Sequence, residues 1–87
     1  MSELFSDRVA VVTGSAVGIG RSIACALAAK GVHIGALDID SENNAVTADR
    51  VHALGASCLP INCDVGDKLL VKQSIDAVAQ RLSLIHI

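Results

Sequence analysis

The stretch Thr13–Gly20, with the sequence TGSAVGIG, decides the fold because of what stands on either side of it. Before it, Val9–Val12 is a short, continuous apolar run of mostly β-branched residues, typical of a strand buried on both faces. After its first glycines, Ile19, Ile23 and Leu27 recur every four residues, which is the spacing of one helix face. A glycine-rich turn between a strand and a helix gathers backbone amides and a helix N-terminus around one point, where an anion can bind. The stretch therefore predicts the pyrophosphate-binding turn of a dinucleotide site.

The three glycines of this stretch have separate expected tasks. Gly14 permits a tight turn, Gly18 removes the Cβ that would block the phosphates, and Gly20 lets the helix lie against the strand. Ser15 and Ile19 complete the cofactor-binding residues predicted for the turn. The spacing is G-x-x-x-G-x-G rather than the commoner G-x-G-x-x-G, and the alternative interpretation is an ordinary turn.

Two further strand–helix pairs follow this unit. Gly31 ends the first helix, and the second strand is Val32–Leu37. The second helix has the weaker apolar pattern. It begins after Asp40 or Ser41, either of which can cap it, and it runs to about Leu54.

The third strand spans about Ser57–Cys63, and Pro60 within it favours a sheet edge because proline cannot donate to the ladder. Asp67 can cap the third helix. That helix carries apolar residues at helical spacing, namely Val71, Ile75, Val78, Ala79 and Leu82. The order βαβαβα with short links predicts an α/β protein, a partial Rossmann fold in three layers whose parallel strands lie in the order 3-2-1.

In that order the first strand, Val9–Val12, lacks the fourth strand that a doubly wound sheet places at its other edge. We expect this apolar edge to be unpaired unless Leu84–Ile87 substitutes for the missing strand, so that the chain alone is poorly soluble or partly unfolded. Residues 1–81 are interpreted as the N-terminal part of a dinucleotide-binding Rossmann domain. Residues 82–87 are expected to be a non-native tail of a truncated gene model, because one back-translation, CTG TCT CTT ATA CAC ATC, resembles a transposon end used as a sequencing adapter. The alternative is a genuine apolar tail.

Asp38 ends the second strand and is the second element of the predicted site. A carboxylate here can accept hydrogen bonds from both hydroxyls of an adenosine ribose, and it would repel a 2′-phosphate. No Lys or Arg precedes Gly18 in the turn to neutralise such a phosphate, and Ile39, which follows Asp38, is also predicted to bind the cofactor. The sequence therefore favours NAD over NADP. The alternative role for Asp38 is helix capping, for which Asp40 is better placed.

Together these features resemble the short-chain dehydrogenase/reductase family, from about Arg8 to Arg81. Family members commonly carry an Asp-Val pair after the third strand, as Asp64 and Val65 do here. The resemblance implies that the Asp64 side chain and the Val65 backbone meet the adenine ring, whereas the alternative for Asp64 is an acid at a helix start. It also implies an oxidoreductase that moves hydride between NAD and a small-molecule alcohol or carbonyl substrate.

The catalytic residues that this resemblance implies are missing from the sequence. The family's Tyr-x-x-x-Lys pair, its catalytic Ser and an Asn-Asn-Ala-Gly turn come later in the chain, and this sequence has no Tyr. Asn43-Asn44-Ala45 does not match that turn, since Val46 follows it. Hydride transfer to a carbonyl needs a positioned proton donor, so we assign no catalytic residue and expect the chain alone to be inactive. The alternatives to a cofactor-binding segment are a non-catalytic nucleotide-binding module and a nonfunctional truncated product.

Composition argues against several other classes of protein. The 7 basic and 9 acidic residues give a net charge of -2 without a basic run, which argues against nucleic acid as a partner. The first residues carry acids and no long apolar stretch, so neither a secretory signal nor a membrane span is predicted, and we expect a cytoplasmic location. Cys25, Cys58 and Cys63 lack metal-ligand spacing and are interpreted as reduced thiols in or near the core, with no metal site.

Overall fold

A computed structural model describes the backbone of residues 2–6 and 9–84. The strands are β1 (Ser2–Ser6), β2 (Val9–Thr13), β3 (His33–Asp38) and β4 (Cys58–Asn62), and the helices are α1 (Gly18–Ala28), α2 (Ser41–Ala53) and α3 (Lys68–Leu84). From β2 onward the chain alternates strand and helix, as the sequence predicts.

The strands form one four-stranded sheet in the order β1-β2-β3-β4. β2, β3 and β4 are parallel, which confirms the predicted order 3-2-1 for the three strands found in the sequence. In the register, Ala36 of β3 lies opposite Pro60 of β4. β4 is the last strand of the described sheet, so Pro60 stands at an edge, where its missing N–H disturbs no inner ladder.

The strand β1 was not predicted. It pairs antiparallel with β2, with a register shift between Leu4 and Ser6. The expectation that the outer edge of β2 is unpaired is therefore wrong. An apolar strand edge presents free N–H and C=O groups, and the segment just before β2 in the chain can fold back to satisfy them. The alternative strand at Leu84–Ile87 is not seen, because Leu84 is the last residue of α3 and residues 85–87 lie outside the described residues.

The core has two parts, one on each face of the sheet, which gives the predicted three layers. Successive residues of β2 alternate between them because side chains of a strand point to opposite faces. One part lies under α1 and α2 and contains Ala10, Val12, Ala24, Ala28, Val32, Ile34, Ala36, Val51 and Ala56. The other lies under α3 and contains Val9, Val11, Leu37, Cys63, Val78 and Leu82.

The apolar stripe predicted for the third helix is the face that α3 packs on the sheet. Val78 and Leu82 are buried, and Val71 and Ile75 pack partly buried against them. Leu82, the first residue of the expected tail, thus belongs to the core. The assignment of residues 82–87 as non-native stays a prediction. Contact between α3 and the sheet is close: a Cβ on Gly35 in β3 would collide with both methyl groups of Val78.

Candidate functional site

The carboxyl ends of the three parallel strands meet at one edge of the sheet, and an open pocket lies there. Thr13 pairs with Leu37 and Asp38 pairs with Asn62, so the three ends are level. The pocket has a volume of about 110 Å³, and its lining is Gly14, Asp38, Ile39, Cys63, Asp64 and Val65. All of these except Cys63 belong to the cofactor-binding residues predicted from the sequence, and they converge from three different loops.

The glycine-rich turn has the backbone conformations that require glycine. Gly14 and Gly18 adopt φ values of 67° and 59°, in the left-handed region. The Gly14 amide donates to the Leu37 carbonyl at 2.9 Å, which ties the turn to the end of β3. A Cβ on Gly14 or Gly18 would meet nothing within 4 Å, so the space beside both is open. A Cβ on Gly20 would collide with the Gly14 carbonyl, so the close approach expected of Gly20 is made to the turn rather than to the strand.

Helix α1 begins beside the pocket without a capping side chain. Its N-cap residue Val17 makes no side-chain hydrogen bond, and the first turn holds no acidic residue. First-turn amides of an α-helix have no intrahelical acceptor, and the helix dipole makes this end positive. Gly18, Ile19 and Gly20 form this first turn, next to the pocket lining rather than within it. The helix end is therefore suited to an anion.

The half-buried Asp38 carboxylate faces the glycine-rich turn. Its Oδ2 accepts from the Ala16 amide at 3.0 Å, and its Oδ1 accepts from the Asp40 amide at 2.8 Å. The cap of α2 is Asp40, whose carboxylate accepts from the Asn43 side chain at 2.8 Å and from the Asn43 amide at 3.2 Å. These hydrogen bonds from Asn43 lower the pKa of Asp40 below its ordinary value of 3.8. The capping role considered for Asp38 is therefore wrong, and the preference for Asp40 is confirmed.

Asp64 and Val65 are the pair of residues predicted after the third strand. They lie between β4 and α3 and line the pocket. Asp64 Oδ1 accepts from the Gly66 amide at 2.9 Å, which closes a local turn. The cap of α3 is Asp67, whose Oδ1 accepts from the Leu70 amide at 3.1 Å, as predicted. The pocket thus has acids on two sides, and the exposed aliphatic side chains of Ile39 and Val65 lie at its lining.

Ser15 is a predicted cofactor-binding residue whose side chain instead makes a hydrogen bond within the protein. Its side chain is fully buried, and its hydroxyl donates to Asn44 Oδ1 at 2.6 Å. Asn44 Nδ2 in turn donates to the Ala36 carbonyl at 2.9 Å. A phosphate contact by Ser15 stays a prediction that this hydroxyl geometry does not support.

Two more side chains continue this polar cluster. Thr47 Oγ1 donates to the Ser15 carbonyl at 2.7 Å and accepts from Arg21 Nε at 2.9 Å. Arg21 Nη2 donates to the carbonyls of Ala16 and Asn43. We call the four side chains of Ser15, Arg21, Asn44 and Thr47 the turn clamp, because they join the glycine-rich turn to α2.

Sequence reasoning missed the turn clamp. Asn44 was considered only as part of a mismatched catalytic motif, although it is 1% exposed and Thr47 is fully buried. The available signal was helical spacing: Asn44 and Thr47 precede the buried Ala48 and Val51 on the inner face of α2. A polar residue at a core position of a helix needs partners, and the nearest turn is where they are found.

Among the described residues, the remaining titratable groups do not form a second centre. Cys25, Cys58 and Cys63 are free thiols, as expected in or near the core. Burial, with Cys25 as a second cause, raises the pKa of the Cys58 thiol to about 12. No group of three His, Cys, Asp or Glu side chains that could hold a metal occurs among the residues the structure describes. Within the same residues, no helix has the length and apolar character to cross a bilayer.

Comparison with known proteins gives the family. The sequence model of the short chain dehydrogenases matches residues 8–87. This chain belongs to the short-chain dehydrogenase family. A curated relative, the D-threitol dehydrogenase of Mycolicibacterium smegmatis, is 39% identical over 80 residues, which cover 92% of this chain and 31% of the relative.

Solved structures of the short-chain dehydrogenase family agree with the fold. The carveol dehydrogenase from Mycobacterium avium, in complex with NAD, superposes with a TM-score of 0.83 at 32% identity, covering 91% of this chain and 33% of that one. A short chain dehydrogenase from Mycobacterium paratuberculosis bound to NAD gives a TM-score of 0.84 at 26% identity, covering 90% and 34%. The chain thus spans about a third of the length of these relatives and contains the nucleotide-binding segment of this oxidoreductase family.

Proposed function

We propose that the chain binds the adenosine and pyrophosphate part of NAD, as the cofactor-binding segment of an oxidoreductase that transfers hydride between NAD and an alcohol or carbonyl. The observation that carries the proposal is the Asp38 carboxylate, which lines the pocket and accepts a hydrogen bond from the Ala16 amide of the glycine-rich turn. Related structures with NAD bound support the choice of ligand.

The donor set fits a dinucleotide. The pyrophosphate would lie at Gly14, Gly18, Ile19 and Gly20, where the space beside two glycines is open and α1 starts without a cap. Backbone amides at such a helix start bind phosphate without any basic side chain. This arrangement agrees with the neutral or acidic character of the residues that line the pocket.

The Asp38 carboxylate supports NAD rather than NADP. Each of its oxygens accepts one described backbone amide, and a carboxylate oxygen has two acceptor sites, so both ribose hydroxyls can still donate to it. A 2′-phosphate would stand against this charge, and among the residues that the structure describes no Lys or Arg lines the pocket. Arg21 donates to Thr47 and to the Asn43 carbonyl of α2, and to the Ala16 carbonyl of the turn.

The adenine ring would lie between the loops that follow β3 and β4. Ile39 and Val65 are 66% and 55% exposed and line the pocket, so a flat apolar ring would remove their surface from water. Asp64 stands beside Val65, where its carboxylate can accept from an exocyclic amine.

The hydride chemistry is supplied by the nicotinamide when NAD is bound, and the residues of this chain bind and orient the other half of the molecule. No Tyr occurs in the sequence to act as the family's proton donor. We therefore propose that residues 1–87 alone bind the dinucleotide and do not turn over an alcohol.

Calorimetric titration of the chain with NAD and NADP tests the proposal. We expect tighter binding of NAD, and we expect Asp38→Ala to reduce the NAD/NADP ratio of affinities by about tenfold or more, since ribose hydrogen bonds and a repulsive charge are lost together. Asp40→Ala is the matched control, because it removes an exposed acid two residues away that caps α2 and does not line the pocket. Tighter NADP binding by the unsubstituted chain would overturn the assignment.

A further inference from the structure

The peptide group between Ser15 and Ala16 is held from both sides. Its carbonyl accepts from Thr47 Oγ1 at 2.7 Å, and its amide donates to Asp38 Oδ2 at 3.0 Å. In a trans peptide the C=O and N–H point in roughly opposite directions, so these two hydrogen bonds together fix the rotation of the whole group. Thr47 thereby acts on the same peptide that faces the Asp38 carboxylate.

The next peptide group is oriented by Arg21. Its carbonyl, that of Ala16, accepts from Arg21 Nη2 on the α2 side. The amide of Val17 in the same peptide consequently points away from Arg21. Two consecutive peptides of the glycine-rich turn thus each accept a hydrogen bond from a side chain, Thr47 or Arg21, that does not line the pocket.

Asn44 connects this arrangement to the sheet. It accepts from the Ser15 hydroxyl at 2.6 Å and donates to the Ala36 carbonyl at 2.9 Å, two residues before Asp38. Because Asn44 is 1% exposed, water cannot replace either partner if its amide is removed. The turn, β3 and α2 are therefore joined through one buried side chain.

We propose that Asn44, Thr47 and Arg21 are positioning residues that hold the glycine-rich turn in its dinucleotide-binding conformation. The inference rests on the proposed function, since it takes this turn to be where the pyrophosphate binds. A turn that is already ordered loses less conformational freedom when the ligand arrives, so the turn clamp raises affinity without touching the ligand.

The positioning role is separable from a general contribution to stability. α2 is also held on the sheet by apolar contacts, among them the fully buried Val51. Val51→Ala should therefore lower the thermal midpoint while leaving the turn clamp intact. Thr47→Val removes the hydroxyl at nearly constant volume, and Thr47→Ser retains the hydroxyl.

The experiment is an NAD titration of the unsubstituted chain, Thr47→Val, Thr47→Ser and Val51→Ala, at a temperature where each is folded by circular dichroism. We expect Thr47→Val to raise the Kd for NAD about tenfold, Thr47→Ser to restore it to within about threefold, and Val51→Ala to leave it unchanged. Equal Kd values for Thr47→Val and the unsubstituted chain would overturn the inference, and so would a weakened Kd in Val51→Ala of the same size.

A second measurement separates this inference from the proposed function. Amide exchange of Ala16, followed by NMR without dinucleotide, should be faster in Thr47→Val than in Val51→Ala, relative to the amide of Ala24 within α1. Unchanged exchange of Ala16 contradicts the turn clamp whether or not NAD binds. If the unsubstituted chain fails to bind NAD while Ala16 exchange is faster in Thr47→Val, the proposed function fails and the ordering of the turn by Thr47 is supported.

Discussion

Replacement of Gly35 by Ala should destabilise the protein, and truncation of Val78 should reverse most of that loss. Gly35 lies in the central part of β3, and an added Cβ would collide with both methyl groups of Val78, which is fully buried in α3. Adding a methyl group to a close-packed core costs about 1–3 kcal/mol, so we take about 2 kcal/mol for Gly35→Ala.

The partner substitution has its own cost. Val78→Ala removes two methyl groups, worth about 1.6 kcal/mol of burial at about 0.8 each, and the cavity adds to this, for a total of about 2–3 kcal/mol. Independent effects would sum to roughly 4–5 kcal/mol. In the double variant, however, the new Cβ fills the space that the two methyl groups leave. We therefore expect the double variant to cost only about 2 kcal/mol, a coupling of roughly 2–3 kcal/mol.

Urea unfolding followed by circular dichroism measures these free energies through the midpoint and the slope. A domain of 87 residues has a total stability of roughly 4–13 kcal/mol, so the single variants need low temperature to remain folded. Gly35→Ala combined with Val51→Ala is the matched control, because Val51 lies in the core part on the other face of the sheet. We expect the losses of stability to be additive in the control pair. If they are also additive in the Gly35→Ala, Val78→Ala pair, the packing argument is refuted.

Three further predictions concern the site, a thiol and the sheet edge. Gly18→Val should abolish NAD binding, because a β-branched side chain is strained at φ 59° and would fill the open space where the pyrophosphate is proposed to lie. Undiminished NAD affinity, measured by calorimetry, would place the phosphates elsewhere. At pH 9, iodoacetamide should modify Cys58 far more slowly in the folded chain than in urea, because burial raises the pKa of this thiol to about 12. The part of the folding stability that is linked to this thiol should fall as pH rises from 9 towards 12. Equal modification rates in the folded and unfolded chain would contradict the prediction. Removal of residues 1–7 should cause concentration-dependent association in gel filtration, because it exposes the edge of β2 with which β1 pairs. A monomeric product at high protein concentration would show that this edge does not need a paired strand.

The strand–helix alternation and the pocket were accessible from the sequence because each depends on local pattern. β-branched runs, helical spacing and glycine positions locate β2, α1 and β3, and parallel strands necessarily bring their carboxyl ends to one edge. Gly14, Asp38 and Val65 are consequently neighbours in the structure although they are far apart in the chain.

What could not be predicted depends on partners that only the folded chain supplies. Ser2–Ser6 has no strong strand pattern, and it becomes a strand because the edge of β2 is beside it. Asn44 and Thr47 weaken the apolar pattern of α2, so the sequence predicts a poorly amphipathic helix. Their side chains instead meet the hydroxyl and carbonyl of Ser15 across the interface.

The double role of Asp38 determines which measurement reports on the ribose. Its carboxylate accepts from the Ala16 amide of the glycine-rich turn and also lines the pocket where we propose that the ribose hydroxyls bind. A lower affinity for NAD in Asp38→Ala would thus combine a loosened turn with lost ribose contacts. In the proposed binding mode both dinucleotides use the same turn, so its contribution cancels in the ratio of their affinities. The ratio of the two affinities, rather than either dissociation constant, therefore isolates the ribose contacts. Thr47→Val, by contrast, should weaken the binding of both dinucleotides equally and leave the ratio unchanged.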